Sequence, residues 1–141
     1  MTENYRLEFT QEIQDKLTTA ALEAQANAYS PYSNFPVGAA VMTQEGSIFT
    51  GCNVENASYG LTVCAERNAI AASVAAGHLN IFAIAVVTSA PFVARPCGAC
   101  RQVICEFSSE DRPATIVSVA SNGDAVVQTI NDLLPDRFNL L

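Results

Sequence analysis

Ile81-Phe82-Ala83-Ile84-Ala85-Val86-Val87-Thr88 is an unbroken apolar run of strand length. A half-exposed strand alternates apolar with polar residues, so this run belongs in the middle of a sheet, buried on both faces. Both faces must then be covered, and the flanking sequence supplies the cover. Upstream, residues 62–76 read as a helix with Thr62 as its cap and Gly77 as its stop. Its second half, Ala69-Ile70-Ala71-Ala72-Ser73-Val74-Ala75-Ala76, is built of small residues that allow close approach of another backbone, either within the domain or across a subunit contact. Downstream, Pro91 and Pro96 punctuate a loop, and residues 98–107 read as the next helix. Further upstream, Ile13, Leu17, Ala20, Ala21, Ala24 and Ala28 recur at three- and four-residue steps. They mark an amphipathic helix over residues 10–28, with Thr10 as cap and Glu12 in the first turn. Residues 37–42 and 48–54 read as strands joined through Gln44-Glu45-Gly46-Ser47, a hairpin. After the second helix pair come strands at 115–120 and 125–127, joined through Asn122-Gly123, and a brief helix over 130–134. The alternation predicts an α/β layered fold with a mixed sheet, a hairpin first and parallel strands after it. No repeat or linker interrupts residues 1–141, so one domain is expected.

Composition narrows the function classes. Hydrophobic residues make up 50% of the 141-residue chain, which excludes a disordered protein. No apolar run reaches the roughly 18 residues needed to span a bilayer, and Met1-Thr2-Glu3-Asn4 does not read as a signal peptide. The five cysteines are odd in number. Without an export signal they point to a reducing, cytoplasmic setting and to thiolates held by metal. Seven basic residues stand against fourteen acidic ones, a net charge of -7. Such a surface repels polyanions and offers few phosphate contacts, so an uncharged small molecule is expected and nucleic acid is not.

Chemistry concentrates in Cys64-Ala65-Glu66 and Pro96-Cys97-Gly98-Ala99-Cys100. Three cysteines, two of them at CxxC spacing, supply three corners of a tetrahedral zinc site and leave the fourth open, the mark of a catalytic centre. Glu66, two residues after the first ligand, is placed to carry protons for a water at that position. Both cysteine groups fall at helix starts, where free backbone N–H groups favour thiolates. Arg67 either offsets the formal charge of about -1 on a three-thiolate zinc or is a surface arginine. Asn53 and Glu55 alternate on an extended segment, either as plain loop residues or as a pair that takes the hydroxyls of a sugar. The aromatic-rich stretch 29–36 is either loop packing or the lining of a pocket for a flat ring. Cys52 and Cys105 read as small buried hydrophobes, and His78 as a solvated residue just past a helix end.

The zinc pattern matches the C/H-x-E…P-C-x-x-C arrangement of zinc nucleobase deaminases, and its chemistry is taken over from that likeness. Over nearly its whole length the chain resembles the small, homotetrameric cytidine deaminases. The stretches that carry the likeness are Phe35-Pro36-Val37-Gly38-Ala39-Ala40, Gly51-Cys52-Asn53-Val54-Glu55-Asn56-Ala57-Ser58-Tyr59-Gly60, Cys64-Ala65-Glu66-Arg67 and Pro96-Cys97-Gly98-Ala99-Cys100-Arg101-Gln102, with Leu133-Leu134-Pro135 and Phe138 at the end. The resemblance implies a three-layer α/β/α fold with a mixed, mainly five-stranded sheet, and one Zn²⁺ per chain on Cys64, Cys97 and Cys100. It implies Glu66 as proton shuttle in deamination of cytidine and 2′-deoxycytidine, within pyrimidine salvage. Asn53 and Glu55 would hold the ribose, Phe35 and the Ala65 backbone the base, and Arg67 would neutralise the site. Neighbouring subunits of a homotetramer would complete each pocket through the loop of Ala57 and Tyr59 and through Phe138. Ala94-Arg95 and Asp136-Arg137 depart from the residues common in that family, at the expected pocket rim.

Three other readings have distinct requirements. A deaminase of another aminated heterocycle would show basic residues for a phosphate or lack the Asn53–Glu55 pair. A structural zinc module would need a fourth protein ligand. A thiol redox protein using Cys97 and Cys100 would leave Cys64 and Glu66 without work.

Overall fold

A computed structural model describes residues 6–141, so the four N-terminal residues read above lie outside it. The chain runs α1 (Gln11–Gln25), β1 (Val37–Thr43), β2 (Ile48–Cys52), a short 3₁₀ turn (Tyr59–Leu61), α2 (Ala65–Ala75), β3 (Ile81–Thr88), α3 (Gly98–Glu106), β4 (Thr115–Val119), β5 (Ala125–Thr129) and α4 (Ile130–Leu133). The strands form one sheet of five in the order β2-β1-β3-β4-β5. β3 lies at its centre, and all its residues are buried. Alternate side chains serve two cores. Ile84 and Val86 join Ala39, Ala65, Ile70 and Ile104 under α2 and α3. Ala83, Ala85 and Val87 join Leu17, Ala21 and Met42 under α1. Three layers result, as expected, and each fully buried Ile or Val contributes about 1.5–3 kcal/mol of transfer free energy.

Strand directions depart from the expected run of parallel additions. Only β3 and β4 pair in parallel. The α2 crossover returns β3 in the direction of β2, but β3 docks on the far side of β1, which runs opposite to β2, and so pairs with β1 antiparallel. β5 turns back antiparallel on β4 after a turn that places Gly123 at φ 91°. The five residues 120–124 leave room for a hairpin but not for a helical crossover.

Two glycines set how closely the layers approach. A Cβ on Gly38 would run into the backbone of Ala21 and Gln25 on α1, and one on Gly51 into the backbone of Ala65 and Ala69 on α2. Of the small residues expected to permit close contact on α2, Ala69 thus meets β2 of the same chain. Helix α2 ends at Ala75 with Ala76 as its C-cap, and Gly77 adopts φ 91° while its N–H bonds Val74 O and the His78 N–H bonds Ser73 O. This is the left-handed stop the sequence predicted. The start differs from expectation. Thr62 does not cap α2; its hydroxyl accepts from Asn56 N–H (3.3 Å), and Cys64 occupies the N-cap position. Cys105 is buried in the α2/α3 core as expected, whereas Cys52 is only half-buried at the end of β2. His78 is not simply solvated: Nδ1 lies 3.3 Å from the Glu45 carboxylate, and the ring packs against Phe49. No helix among the described residues is long and apolar enough to cross a membrane.

Candidate active site

The sheet delivers two helix starts to one place. Past β2, Val54 bridges to Val63, which leads directly into α2. Past β3, residues 89–96 lead into α3. Cys64 is the N-cap of α2 and Cys97 the N-cap of α3, and neither sulfur caps its own helix. Cys100 lies in the first turn of α3 and is fully buried. The three sulfurs lie within 4.8 Å of one another, with Cys64 Sγ 3.9 Å from Cys97 Sγ. Tetrahedral zinc with sulfurs at about 2.3 Å sets neighbouring sulfurs about 3.8 Å apart, so the spacing fits that ion. Soft thiolates suit zinc over hard cations. Among the described residues no fourth His, Cys, Asp or Glu joins the group, which leaves one coordination position for a small molecule.

The electrostatics favour thiolate at this place. A hydrogen bond from Cys100 and the nearby Arg67 guanidinium pull the Cys64 thiol down to about 5. Cys100 moves the opposite way, well above the usual thiol range, because it holds the proton shared with Cys64 and is buried. Arg67 Nη2 donates to Cys64 Sγ at 3.3 Å. Its Nε is buried and has no hydrogen-bond partner, a spare donor beside the sulfur cluster. Arg67 is thus not a free surface arginine: it is half-buried and donates to the Cys64 sulfur. A guanidinium bonded to thiolates is held still more firmly in its charged form. Glu66 is 5% exposed, and burial pushes its carboxyl up to about 6, against a hydrogen bond from its own backbone N–H. A carboxyl that titrates near neutrality can both accept and release a proton.

The expected sugar pair converges on one loop. Asn53 is buried; its Oδ1 accepts from Val37 N–H and its Nδ2 donates to Phe35 O, both at 2.9 Å. Glu55 Oε1 accepts from the N–H groups of Tyr32 and Ser33 at 3.0 and 3.1 Å. Bonding to Ser33 and Tyr32 holds its carboxyl below the usual range. Both residues brace the aromatic stretch 29–36, and each retains capacity: one Nδ2 proton on Asn53 and the second carboxylate oxygen on Glu55. A groove of about 370 Å³ lies over this brace, lined by Tyr32, Ser33, Glu55, Tyr59 and Thr62. Tyr32 and Tyr59 meet there edge to face, ring centres 6.0 Å apart. Tyr32 and Ser33 come from the aromatic-rich stretch read from sequence as either loop packing or pocket lining, whereas Thr62 was read only as a helix cap. The alternation that marked Asn53 and Glu55 does not reach across to the loop they hold. Phe35 is half-buried, Ala65 is buried at the start of α2, and Ala57 and Phe138 are exposed; none of the four lines the groove. A larger depression of about 740 Å³ lies between α1 and the ends of β3 and β4. It is lined by no titratable or metal-ligating side chain, so volume alone does not mark the site.

Comparison with known proteins agrees with this geometry. The family described as cytidine and deoxycytidylate deaminase zinc-binding region matches residues 11–116. The chain belongs to that family. Among family members, the cytidine deaminase of Sporosarcina psychrophila is 42% identical over 125 residues, 89% of this chain and 90% of its own. The cytidine deaminase of Mycobacterium tuberculosis is 42% identical over 120 residues, 85% of each chain. The crystal structure of cytidine deaminase from Burkholderia pseudomallei superposes with a TM-score of 0.83 at 47% identity, covering 92% of this chain and all of that one. As a member of a zinc deaminase family with a sulfur cluster of this spacing, the chain has a site for one zinc.

Proposed function

We propose that the protein hydrolyses cytidine and 2′-deoxycytidine to uridine and 2′-deoxyuridine with release of ammonia, acting as one catalytic domain over residues 1–141. The observation that carries the reading is a three-sulfur cluster with the buried Glu66 carboxyl two residues after its first sulfur. Cys64, Cys97 and Cys100 hold the zinc, which when bound supplies the Lewis acidity that makes water a nucleophile at neutral pH. Glu66 accepts the proton that the attacking water loses and delivers it to the ring nitrogen N3; it then takes the second proton from the hydroxyl formed at C4 and passes it to the amine, so that the C–N bond breaks, C4 becomes a carbonyl and ammonia leaves. Its raised pKa suits both directions of transfer. Arg67 offsets the thiolate charge, so that the site does not repel electron density developing on the substrate.

Asn53 and Glu55 take the ribose hydroxyls with the donor and acceptor they have in reserve, Phe35 contacts the base, and the Ala65 backbone meets its polar edge. The pocket on one chain is open, and Tyr59 and Phe138 are 76% and 70% exposed. Aromatic residues so exposed are suited to a partner, in keeping with a homotetramer in which Ala57, Tyr59 and Phe138 of neighbouring chains close each pocket. The absence of a basic run fits a neutral nucleoside better than a nucleotide or nucleic acid. A cytoplasmic role in pyrimidine salvage follows from that substrate.

The test is the ultraviolet time course of the zinc-loaded protein with cytidine, run beside CMP and after chelation. Loss of cytidine absorbance that chelation abolishes, with no change on CMP, is the expected result. A zinc-loaded protein that leaves cytidine untouched overturns the substrate.

A further inference from the structure

Cys97 is the least supported member of the sulfur cluster: it is exposed, whereas Cys64 is half-buried and Cys100 buried. Its sulfur caps no helix N–H, so the direction of its side chain depends on how the backbone on either side is held. One residue holds both sides. Arg101 donates its backbone N–H to Cys97 O at 3.0 Å and its Nε–H to Pro96 O at 2.7 Å. The Pro96 carbonyl belongs to the same rigid peptide unit as the Cys97 nitrogen, so fixing that oxygen fixes the plane from which Cys97 departs. The Arg101 guanidinium also donates from Nη1 to Leu133 O at 2.9 Å. That carbonyl lies in the last turn of α4, where helical partners run out.

Resting on the zinc reading above, we infer that Arg101 is a positioning residue for the metal. It aims Cys97 Sγ by clamping the peptide units before and after it, and it anchors the clamp to α4. The planar fork is what makes this possible, since two carbonyls are engaged by nitrogens in fixed relation. A lysine offers a single point donor and cannot reproduce that geometry. Arg95 provides a contrast: it ties the same loop to β5 through Gln128 Oε1 at 2.9 Å, but touches neither peptide unit of Cys97.

The experiment compares wild type with Arg101→Lys, Arg101→Ala and Arg95→Ala. Zinc affinity is read by competition with a chromophoric chelator, and ligand geometry by the visible spectrum of the cobalt(II)-loaded protein. Arg101→Lys keeps the charge and the alkyl stem. It is expected to remain folded by circular dichroism while losing about tenfold or more in zinc affinity, with displaced cobalt bands. Arg101→Ala shows a larger loss in the same direction; should it not fold, Arg101→Lys decides alone. Arg95→Ala matches wild type in both readouts. Wild-type affinity and cobalt bands in Arg101→Lys, with only a lower melting temperature, would reduce Arg101 to a structural bond and overturn the role. An equal loss in Arg95→Ala would overturn it as well. A wild-type protein that binds no zinc would defeat the underlying metal reading instead, and so the two failures are distinguishable.

Discussion

The two helical layers are packed by the same device but begin in different ways. α1 and α2 each press a backbone against a strand glycine, Gly38 on one face and Gly51 on the other. At its start, α1 has an ordinary cap: Thr10 Oγ1 accepts from Ile13 N–H at 3.2 Å. α2 and α3 start with cysteines whose sulfurs turn away from their own helices and toward one another. A capping hydroxyl in place of a non-capping side chain is worth about 1 kcal/mol. The face that carries chemistry has given up that increment twice, and its helix starts are free to direct N–H groups and sulfurs at a shared site. The opposite face, which has no such site, keeps its cap.

The sharpest way to break this comparison is to disturb the packing of each face in turn. Gly51→Ala and Gly38→Ala both force backbone apart, and overpacking of this kind costs about 1–3 kcal/mol. Thermal melts should drop for both. Zinc content and cytidine turnover should fall only for Gly51→Ala, because Ala65 and Ala69 lie on the helix that carries Cys64 and Glu66. Retention of zinc by Gly51→Ala would show that α2 does not set the site.

A somewhat smaller effect should appear with pH in zinc-stripped protein. Burial raises the Glu66 carboxyl from 4.5 to about 6 in the folded state. The folded protein therefore holds this proton more tightly than the unfolded chain. The resulting stability is complete below pH 4.5 and is lost as pH rises through about 6, a loss of about 2 kcal/mol. Deprotonation of the lowered Cys64 thiol adds stability over the same range, so the Glu66 contribution is read as the difference between the denaturant titrations of wild type and Glu66→Gln: wild-type stability should fall relative to Glu66→Gln as pH rises between these values. Identical slopes would place the carboxyl in a wetter setting than the structure gives it.

Smallest is the effect of the caps themselves. Thr10→Ala should lose about 1 kcal/mol and leave zinc binding alone. Cys97→Ser puts a capping hydroxyl at the start of α3. In zinc-free protein it should match or exceed wild-type stability by up to about 1 kcal/mol, while zinc affinity collapses. A Cys97→Ser protein that is less stable than wild type without zinc would mean that the sulfur contributes to the fold itself.

Much of this was legible in sequence where the signal is local. The run Ile81–Thr88 coincides with β3 residue for residue, because burial on both faces leaves no polar interruption. The CxxC spacing and the Glu66 offset likewise fix which groups share a helix start. Two errors were also physical. Thr62 looked like the cap of α2 because hydroxyls cap helices, but the cap position is held by a cysteine recruited for its sulfur. The direction of β3 relative to β1 depends on which side of the hairpin it docks, a choice made by long-range packing. The bonds of Asn53 to Phe35 and Val37, and of Arg101 to Leu133, span many residues and have no periodic trace. These are the contacts that convert a set of suitable residues into a site.

Glu66, beside zinc at the helix starts that Cys64 and Cys97 occupy, is held to move the protons of cytidine deamination. Zinc stoichiometry and cytidine turnover measured on the same preparation of Glu66→Gln test it most directly. The expected result is one zinc per chain, as in wild type, with turnover lower by at least about 10²-fold. Turnover near the wild-type rate with zinc in place would contradict the account and move the proton shuttle to another group.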